Sequence, residues 1–170
     1  MTLDEAAAKW EGTPFVANSA IPGPHGGVCC HLGAVAVLVD AGVVEDRDWP
    51  KGSPRWGRNS EERMTKWVDE NLCPPLVRLA EPVGVDALLP GDLIGFRWNR
   101  PSVNHLAVVL PGRRIFHAVI GGKVAARVDR LDDSPFPSLL AVAWRNPTWV
   151  PESPRPQSLN EAKARSATTT

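Results

Sequence analysis

The chain has 170 residues, of which 43% are hydrophobic and 22% charged, a balance typical of one globular domain with a sizeable core. Nineteen basic residues match nineteen acidic ones, so the net charge does not favour nucleic acid or an anionic membrane surface as a partner. No apolar run approaches the ~20 residues that a membrane-spanning helix needs. Three cysteines, two of them adjacent, do not fit the pattern of a disulfide framework, so we expect a reducing compartment.

The first half of the chain predicts helices and the second half predicts strands. Helices are expected over residues 3–10, 32–41 and 59–72, and the last begins with the Asn59 and Glu62 spacing of a capping box. From Leu93 onward, short apolar runs separated by turn residues predict five strands: 93–98, 105–110, 115–119, 124–128 and 140–145. Helices followed by strands indicate an α+β fold, with the helices packed on a mostly antiparallel five-stranded sheet.

The two ends of the chain give expectations about its organisation. Residues 1–150 are predicted to form one domain, and residues 151–170, rich in Pro, Ser, Ala and Thr, are predicted to form a disordered tail. The N-terminus is acidic and lacks the apolar segment of a signal peptide. We therefore expect synthesis in the cytoplasm, and delivery by a particle or a partner protein if the substrate lies outside the cell.

Cys30 is the candidate nucleophile, because it stands at the start of the predicted buried helix. The unpaired N–H groups and the dipole at a helix start favour the thiolate form of a cysteine. The dipole contributes at most about 2 kcal/mol, so a histidine is needed as a base. The adjacent Cys29 is the alternative nucleophile.

His105 and His117 fall in predicted strands on either side of the turn 111–113. A three-residue loop would pair Leu110 with Arg114 and bring both imidazoles to one face of the sheet, one diagonal step apart. A two-residue turn would place them on opposite faces. The first arrangement brings two imidazoles within reach of each other.

A cysteine and two neighbouring histidines are typical of nucleophilic catalysis. In that scheme Cys30 attacks, His105 is the base, and His117 orients and polarises His105. His31 points about 100° away from Cys30 on a helix and is expected to be a packing residue. His25 is expected to be an ordinary loop residue.

Several segments, in this order, resemble NlpC-type cell-wall cysteine peptidases, most closely the compact members carried by phage tails. These segments are WEGTPF at 10–15, the cysteine turn, LPGDLIGF at 89–96, HLAVV at 105–109, FHA at 116–118 and AWRNP at 143–147. The resemblance implies a papain-like α+β fold with Cys30, His105 and His117 as catalytic residues, and no cofactor or metal. It also implies hydrolysis of an amide in the peptidoglycan stem, commonly between D-glutamate and a diamino acid, with phage-tail or secretion proteins as partners.

The chain departs from the family pattern at three points. The usual aspartate before the nucleophile is Cys29 here, so Cys29 stays an alternative, although the distance to Gly42 favours Cys30. No wall-binding repeat accompanies the domain. Relatives often line the site with a tyrosine, which this chain lacks. The candidates for its place are Trp10, Phe15 and Asn18.

Three other functions are compatible with these residues. Cys29, Cys30, His31 and Cys73 could form a metal site, although adjacent cysteines do not easily reach two corners of one tetrahedron. The chain could be a non-catalytic structural component of a tail. The same thiol and imidazole could also transfer an acyl group to an amine or an alcohol instead of to water.

Overall fold

The computed structural model describes residues 1–51, 62–120 and 126–150. Its helices are α1 (Leu3–Trp10), α2 (Cys30–Asp40), α3 (Arg63–Asn71) and the short α4 (Phe136–Leu139), with one 3₁₀ turn at Val85–Ala87. Its strands are β1 (Ala20–Ile21), β2 (Gly27–Val28), β3 (Val77–Arg78), β4 (Leu93–Phe96), β5 (His105–Leu110), β6 (Arg114–Ala118), β7 (Ala126–Arg130) and β8 (Leu140–Arg145). The predicted α+β class is confirmed.

The main sheet is antiparallel and has six strands in the order β3-β8-β4-β5-β6-β7. The prediction of five strands was therefore wrong. The additional strand is β3, whose two residues pair with Trp144 and Arg145 of β8. A two-residue strand shows no alternation of apolar and polar side chains, so its pairing with β8 is decided by the fold.

Several predicted boundaries fall on residues that the structure describes. α1, β5 and β8 have the predicted bounds, and α2 begins at Cys30, which stands at the helix start as predicted, two residues before the apolar run. α2 ends at Asp40, and Gly42 adopts a left-handed backbone with φ of 70°, as expected for a glycine that stops a helix. α3 begins at Arg63 and Glu62 precedes it, so the predicted capping box with Glu62 inside the helix was wrong. Asn59, the beginning of the strand 124–128 and the tail 151–170 lie outside the described residues.

Helix α2 is the central element of the core. It packs against α1 on one side and against β5 and β6 on the other. Most of its side chains are buried, including Ala34, Val35, Val37 and Leu38. None of the helices in the described ranges is long and apolar enough to cross a membrane. Because α2 is enclosed along most of its length, its first residue has a defined position beside β5.

An ion pair joins the beginning of β4 to the end of β8. Asp92 is 1% exposed, and its two carboxylate oxygens accept hydrogen bonds from Nε and Nη2 of Arg145 at 2.7 and 2.6 Å. Asp92 also accepts a bond from the backbone N–H of Leu89 at 2.8 Å. Two parallel bonds to one guanidinium give the pair a defined geometry. The aspartate of the segment 89–96 therefore holds the sheet together and lies away from the cysteines.

Candidate active site

The start of α2 places Cys30 at the surface of the core. Cys29 has an extended backbone and its C=O accepts the first helical bond, from Gly33 N–H at 2.8 Å. The preceding Gly27 lies against Val16, and a Cβ at Gly27 would stand only 2.5 Å from the Cβ of Val16. This close approach brings the segment containing Phe15 alongside β2 and next to the cysteines.

The hairpin of β5 and β6 brings the two strand histidines together. Leu110 pairs with Arg114 across a three-residue loop, which confirms the predicted register. Gly112 in that loop has φ of 72°, a conformation that glycine adopts without strain. Nε2 of His105 lies 2.9 Å from Nδ1 of His117, and His117 is fully buried. The expected diagonal contact between the two imidazoles is therefore present.

A carboxylate extends this pair on the next strand. Nε2 of His117 donates a hydrogen bond to Oδ2 of Asp129 on β7, over 2.8 Å. The same Oδ2 accepts a bond from Nε of Arg127 at 2.7 Å. His105, His117, Asp129 and Arg127 thus form one hydrogen-bonded chain across three strands. The sequence prediction did not include Asp129 or Arg127.

Cys30 and His105 line the same cavity, whose volume is about 250 Å³. Its other described lining residues are Phe15, Trp98, Asn104, Ala118, Val119 and Ile120. The side-chain amide of Asn104 accepts a bond from Trp98 N–H at 2.7 Å and donates one to Trp98 C=O at 2.9 Å. Trp98 in turn packs edge-on against His105, with ring centroids 5.5 Å apart. The loop before β5 therefore supports the ring of His105.

Burial, together with a smaller effect of the nearby Cys29, raises the pKa of the Cys30 thiol to about 12. Interactions of the sulfur with backbone N–H groups, including that of Leu106 next to His105 on β5, act in the opposite direction. Burial therefore acts against the thiolate form that the helix start was expected to favour. The free-energy cost of removing a charged thiolate from water exceeds the stabilisation that the helix dipole provides here.

Both strand histidines are neutral near pH 7. Burial, together with smaller effects of the neighbouring His117 and Arg127, lowers the pKa of His105 to about 3. Burial also lowers the pKa of His117, although the hydrogen bond to Asp129 opposes this effect. The resting site therefore combines a neutral thiol with neutral imidazoles, and a proton has to move when the thiol reacts.

A second thiol lies beside a different imidazole. Sγ of Cys29 is 3.3 Å from Nδ1 of His31, and both side chains are buried. His31 packs edge-on against Trp67, with centroids 5.3 Å apart, and burial lowers its pKa to about 4. The predicted packing role of His31 agrees with these contacts. This pair belongs to the core and does not line the cavity of Cys30.

The remaining candidates from the sequence lie at different places. Of the three residues considered for the place of the tyrosine, Phe15 lines the cavity of Cys30, whereas Trp10 and Asn18 line another cavity of about 370 Å³. His25 is exposed in the loop before β2. Within residues 1–51, 62–120 and 126–150, no group of three or more His, Cys, Asp or Glu side chains could hold a metal ion.

The arrangement of helices and sheet matches solved structures. An NLP/P60 family protein described as similar to lipoprotein, from Staphylococcus aureus subsp. aureus Mu50, superposes with a TM-score of 0.51 at 22% identity, over 85% of this chain and 40% of its own. An NlpC/P60 family protein from Bacillus cereus ATCC 10987 gives 0.51 at 18% identity, over 85% and 39%. The NlpC/p60 domain of the peptidoglycan hydrolase SagA gives 0.52 at 18% identity, over 84% and 94%. This chain has the NlpC/P60 fold.

The solved structures confirm the resemblance to NlpC-type proteins that the sequence motifs indicated. No protein-family model and no curated protein matches the chain. The chain spans about two fifths of the length of the Staphylococcus and Bacillus structures and nearly all of the SagA domain. At these identities the neighbours establish the fold alone, and the role of each side chain has to be argued from its own surroundings.

One regularity of the sequence could have revealed Asp129 within the NlpC/P60 fold. His105, His117 and Asp129 are separated by two equal intervals of 12 residues. His117 pairs with Arg127 across β6 and β7, so Asp129 lies one diagonal step from His117, as His117 does from His105.

Proposed function

We propose that this chain is a cysteine peptidase or amidase that hydrolyses an amide bond in the stem peptides of peptidoglycan. The observation that carries the proposal is that Cys30, at the start of α2, shares a cavity with His105, which contacts His117. The fold shared with the NlpC/p60 domain of the peptidoglycan hydrolase SagA supports the choice of substrate class. The function further requires that Cys30 and not Cys29 is the nucleophile.

Catalysis begins with a proton transfer, because the resting thiol is neutral. Nitrogen of His105 takes the proton from the Cys30 thiol while Sγ forms a bond to the carbonyl carbon of the substrate amide. The negative charge that develops on the carbonyl oxygen requires nearby donors, and we expect backbone N–H groups at the start of α2 to provide them. The imidazolium of His105 is stabilised by His117.

The second half of the reaction returns the site to its resting state. His105 donates its proton to the amine nitrogen as the C–N bond breaks, which leaves a thioester on Cys30. A water molecule then attacks the thioester carbonyl while His105 takes one of its protons. Collapse of this intermediate releases the carboxylic acid, and the proton returns from His105 to the sulfur. The net reaction converts one amide and one water into one amine and one carboxylic acid.

Mass spectrometry of purified peptidoglycan tests the function directly. The peptidoglycan is digested with the wild-type chain and, separately, with the Cys30→Ala variant. We expect new fragments from the wild type alone, and their masses identify the bond that is cleaved. If an amine is present and the product carries it in place of water, the chain is an acyltransferase. If neither digest contains new fragments, the chain is not a peptidoglycan hydrolase and the proposal fails, whereas the same new fragments in both digests would show that Cys30 is not the nucleophile.

Two finer parts of the proposal come from the sequence resemblance. The bond between D-glutamate and a diamino acid is the expected site of cleavage, and the same fragments test it. A phage tail or a secretion partner that delivers the chain from the cytoplasm to the cell wall is the expected setting. A structural role without catalysis would leave Cys30 dispensable, so the Cys30→Ala comparison also tests that alternative.

A further inference from the structure

Asp129 ends the line of hydrogen bonds that begins at His105. It stands on β7, two strands away from His105, and its carboxylate is 29% exposed. Its Oδ2 atom accepts bonds from both His117 Nε2 and Arg127 Nε. An ion pair between Asp129 and Arg127 alone would not involve a buried histidine. The contact of Asp129 with the fully buried His117 therefore requires a separate explanation.

The charge of Asp129 determines which atoms carry hydrogens. Burial opposes ionisation of Asp129, but the bonds from His117 and Arg127 outweigh it and hold the pKa of the carboxyl below its ordinary value. An ionised carboxylate can only accept hydrogen bonds. Because the shared oxygen also faces the guanidinium of Arg127, His117 has to donate to it through an N–H on Nε2.

The tautomer of His117 in turn determines the tautomer of His105. A neutral imidazole carries a hydrogen on one nitrogen only, so Nδ1 of His117 is unprotonated and accepts. Its neighbour at 2.9 Å, Nε2 of His105, must therefore carry the hydrogen of that ring. The other nitrogen of His105, Nδ1, is then left with a lone pair. A base needs such a lone pair to take a proton from a thiol.

We propose that Asp129 is a positioning residue whose carboxylate, anchored by Arg127, sets the tautomers of His117 and His105 so that Nδ1 of His105 is the atom that accepts the Cys30 proton. The proposal rests on the role of His105 as the base in the proposed function. Asp129 does not touch the reacting atoms and acts through His117. Its negative charge also stabilises the imidazolium of His105 after the proton has moved.

Arg127 has a distinct part in this arrangement. In an Asp129→Asn variant the amide could present either its oxygen or its NH₂ group to His117. Arg127 Nε is a donor directed at the same position, so it favours the amide oxygen there. The tautomers should therefore survive in Asp129→Asn and become mixed only when Arg127 is removed as well. Asp129→Leu removes the acceptor outright.

Nitrogen-detected NMR of the ¹⁵N-histidine-labelled chain tests the proposal without any substrate. In the wild type we expect His105 and His117 both to carry the hydrogen on Nε2. Asp129→Asn should keep both tautomers, whereas Asp129→Leu and the double variant Asp129→Asn/Arg127→Met should show the Nδ1–H form of His117. If His105 in the wild type carries its hydrogen on Nδ1, the proposal is overturned, and this result does not depend on how any variant folds.

Activity on peptidoglycan gives the second measurement. Asp129→Leu should lower kcat/KM by ~10²-fold or more, the lower part of the range for general acid–base catalysis, and Asp129→Asn should retain more activity than Asp129→Leu. Equal losses in the two variants would show that Asp129 contributes charge alone and would overturn the tautomer role.

The matched control is Asp132→Asn. Asp132 also accepts a bond of 2.7 Å from an arginine Nε, that of Arg113, and is 34% exposed, but it contacts no histidine. It should change neither the tautomers nor the activity. If the tautomers behave as stated while the wild type cleaves no peptidoglycan, the positioning role stands and the proposed function fails.

Discussion

Two adjacent cysteines, each close to a histidine, stand in different surroundings in this molecule. Cys29 is 3% exposed, and its sulfur lies 3.3 Å from His31, whose ring packs against Trp67 inside the core. Cys30 lines a cavity of about 250 Å³ together with His105. Behind His105 stand His117 and then Asp129, whereas His31 is enclosed by core residues.

The comparison separates contact between a thiol and an imidazole, which Cys29 and His31 also make, from a position beside a cavity, which Cys30 has. Burial raises the pKa of both thiols and lowers the pKa of both partner histidines. The directions of these pKa shifts therefore do not distinguish the two pairs. What distinguishes them is access of a substrate to the sulfur and a polar chain that can stabilise a charged imidazole. Each of the following predictions tests this distinction, beginning with the largest effect.

Replacement of each cysteine in turn gives the largest contrast. Cys30→Ala should abolish hydrolysis of peptidoglycan while leaving the melting temperature close to that of the wild type, because Cys30 is only half-buried. Cys29→Ala should retain most of the activity. Fragment release and thermal melts of both variants measure these effects. The reverse pattern of activities would move the nucleophile to Cys29 and His31.

The two strand histidines should differ in how far glutamine can replace them. His105→Gln should lose ~10²–10⁴-fold in kcat/KM, because no group then moves the proton. His117→Ala should lose less, and His117→Gln should recover part of that loss, since an amide can both accept from His105 and donate to Asp129. Steady-state kinetics on a purified stem peptide measure the series. Equal loss in His105→Gln and His117→Gln would contradict the assignment of base and orienting residue.

Alkylation by iodoacetamide separates the two thiols without a substrate. With the pKa of Cys30 raised to about 12, its thiolate fraction, and with it the alkylation rate, should rise ~10-fold for each pH unit between pH 7 and 10. Because Cys73 is also free and partly exposed, both variants carry Cys73→Ala as well. In that background Cys29→Ala reports the rate of Cys30, and Cys30→Ala reports that of the buried Cys29, which should be slower at every pH. A rate of Cys30 that is already constant at pH 7 would instead indicate a resting thiolate–imidazolium pair.

The buried His31 beside Cys29 should make stability depend on pH. Burial lowers the pKa of His31 from 6.5 to about 4, so the unfolded chain binds more protons than the folded chain between these values. The stability is fully present above about pH 6.5 and is lost progressively as the pH falls towards 4. For His31 alone the loss at pH 5 is on the order of 2 kcal/mol.

Urea unfolding at pH 7.5 and pH 5 measures this dependence. His31→Phe keeps a ring against Trp67 and removes the titration, so its stability should fall less between the two pH values than that of the wild type. His25→Ala, at an exposed position, should fall as much as the wild type. Parallel curves for the wild type and His31→Phe would show that His31 is protonated without cost in the folded chain.

Much of the fold and part of the candidate site could be predicted from local patterns. The Pro–Gly–Arg turn at 111–113 predicted the register that joins His105 to His117, because a hairpin loop of known length determines which residues face each other. The apolar run after Cys30 predicted a buried helix for a similar reason, since side-chain periodicity is a property of neighbouring residues. Each of these patterns lies within a few neighbouring residues of the sequence.

Other features depend on residues that are distant along the chain. The α+β class, the helix-start cysteine and the histidine pair arise from short-range order and could be predicted from local patterns. The pairing of β3 with β8 and the contact between Asp129 and His117 are evident only in the folded chain. Burial, which raises the pKa of Cys30, is likewise a property of the folded chain. Burial and the pairing of strands that no short turn joins depend on neighbours supplied by the whole fold, and no local pattern contains them.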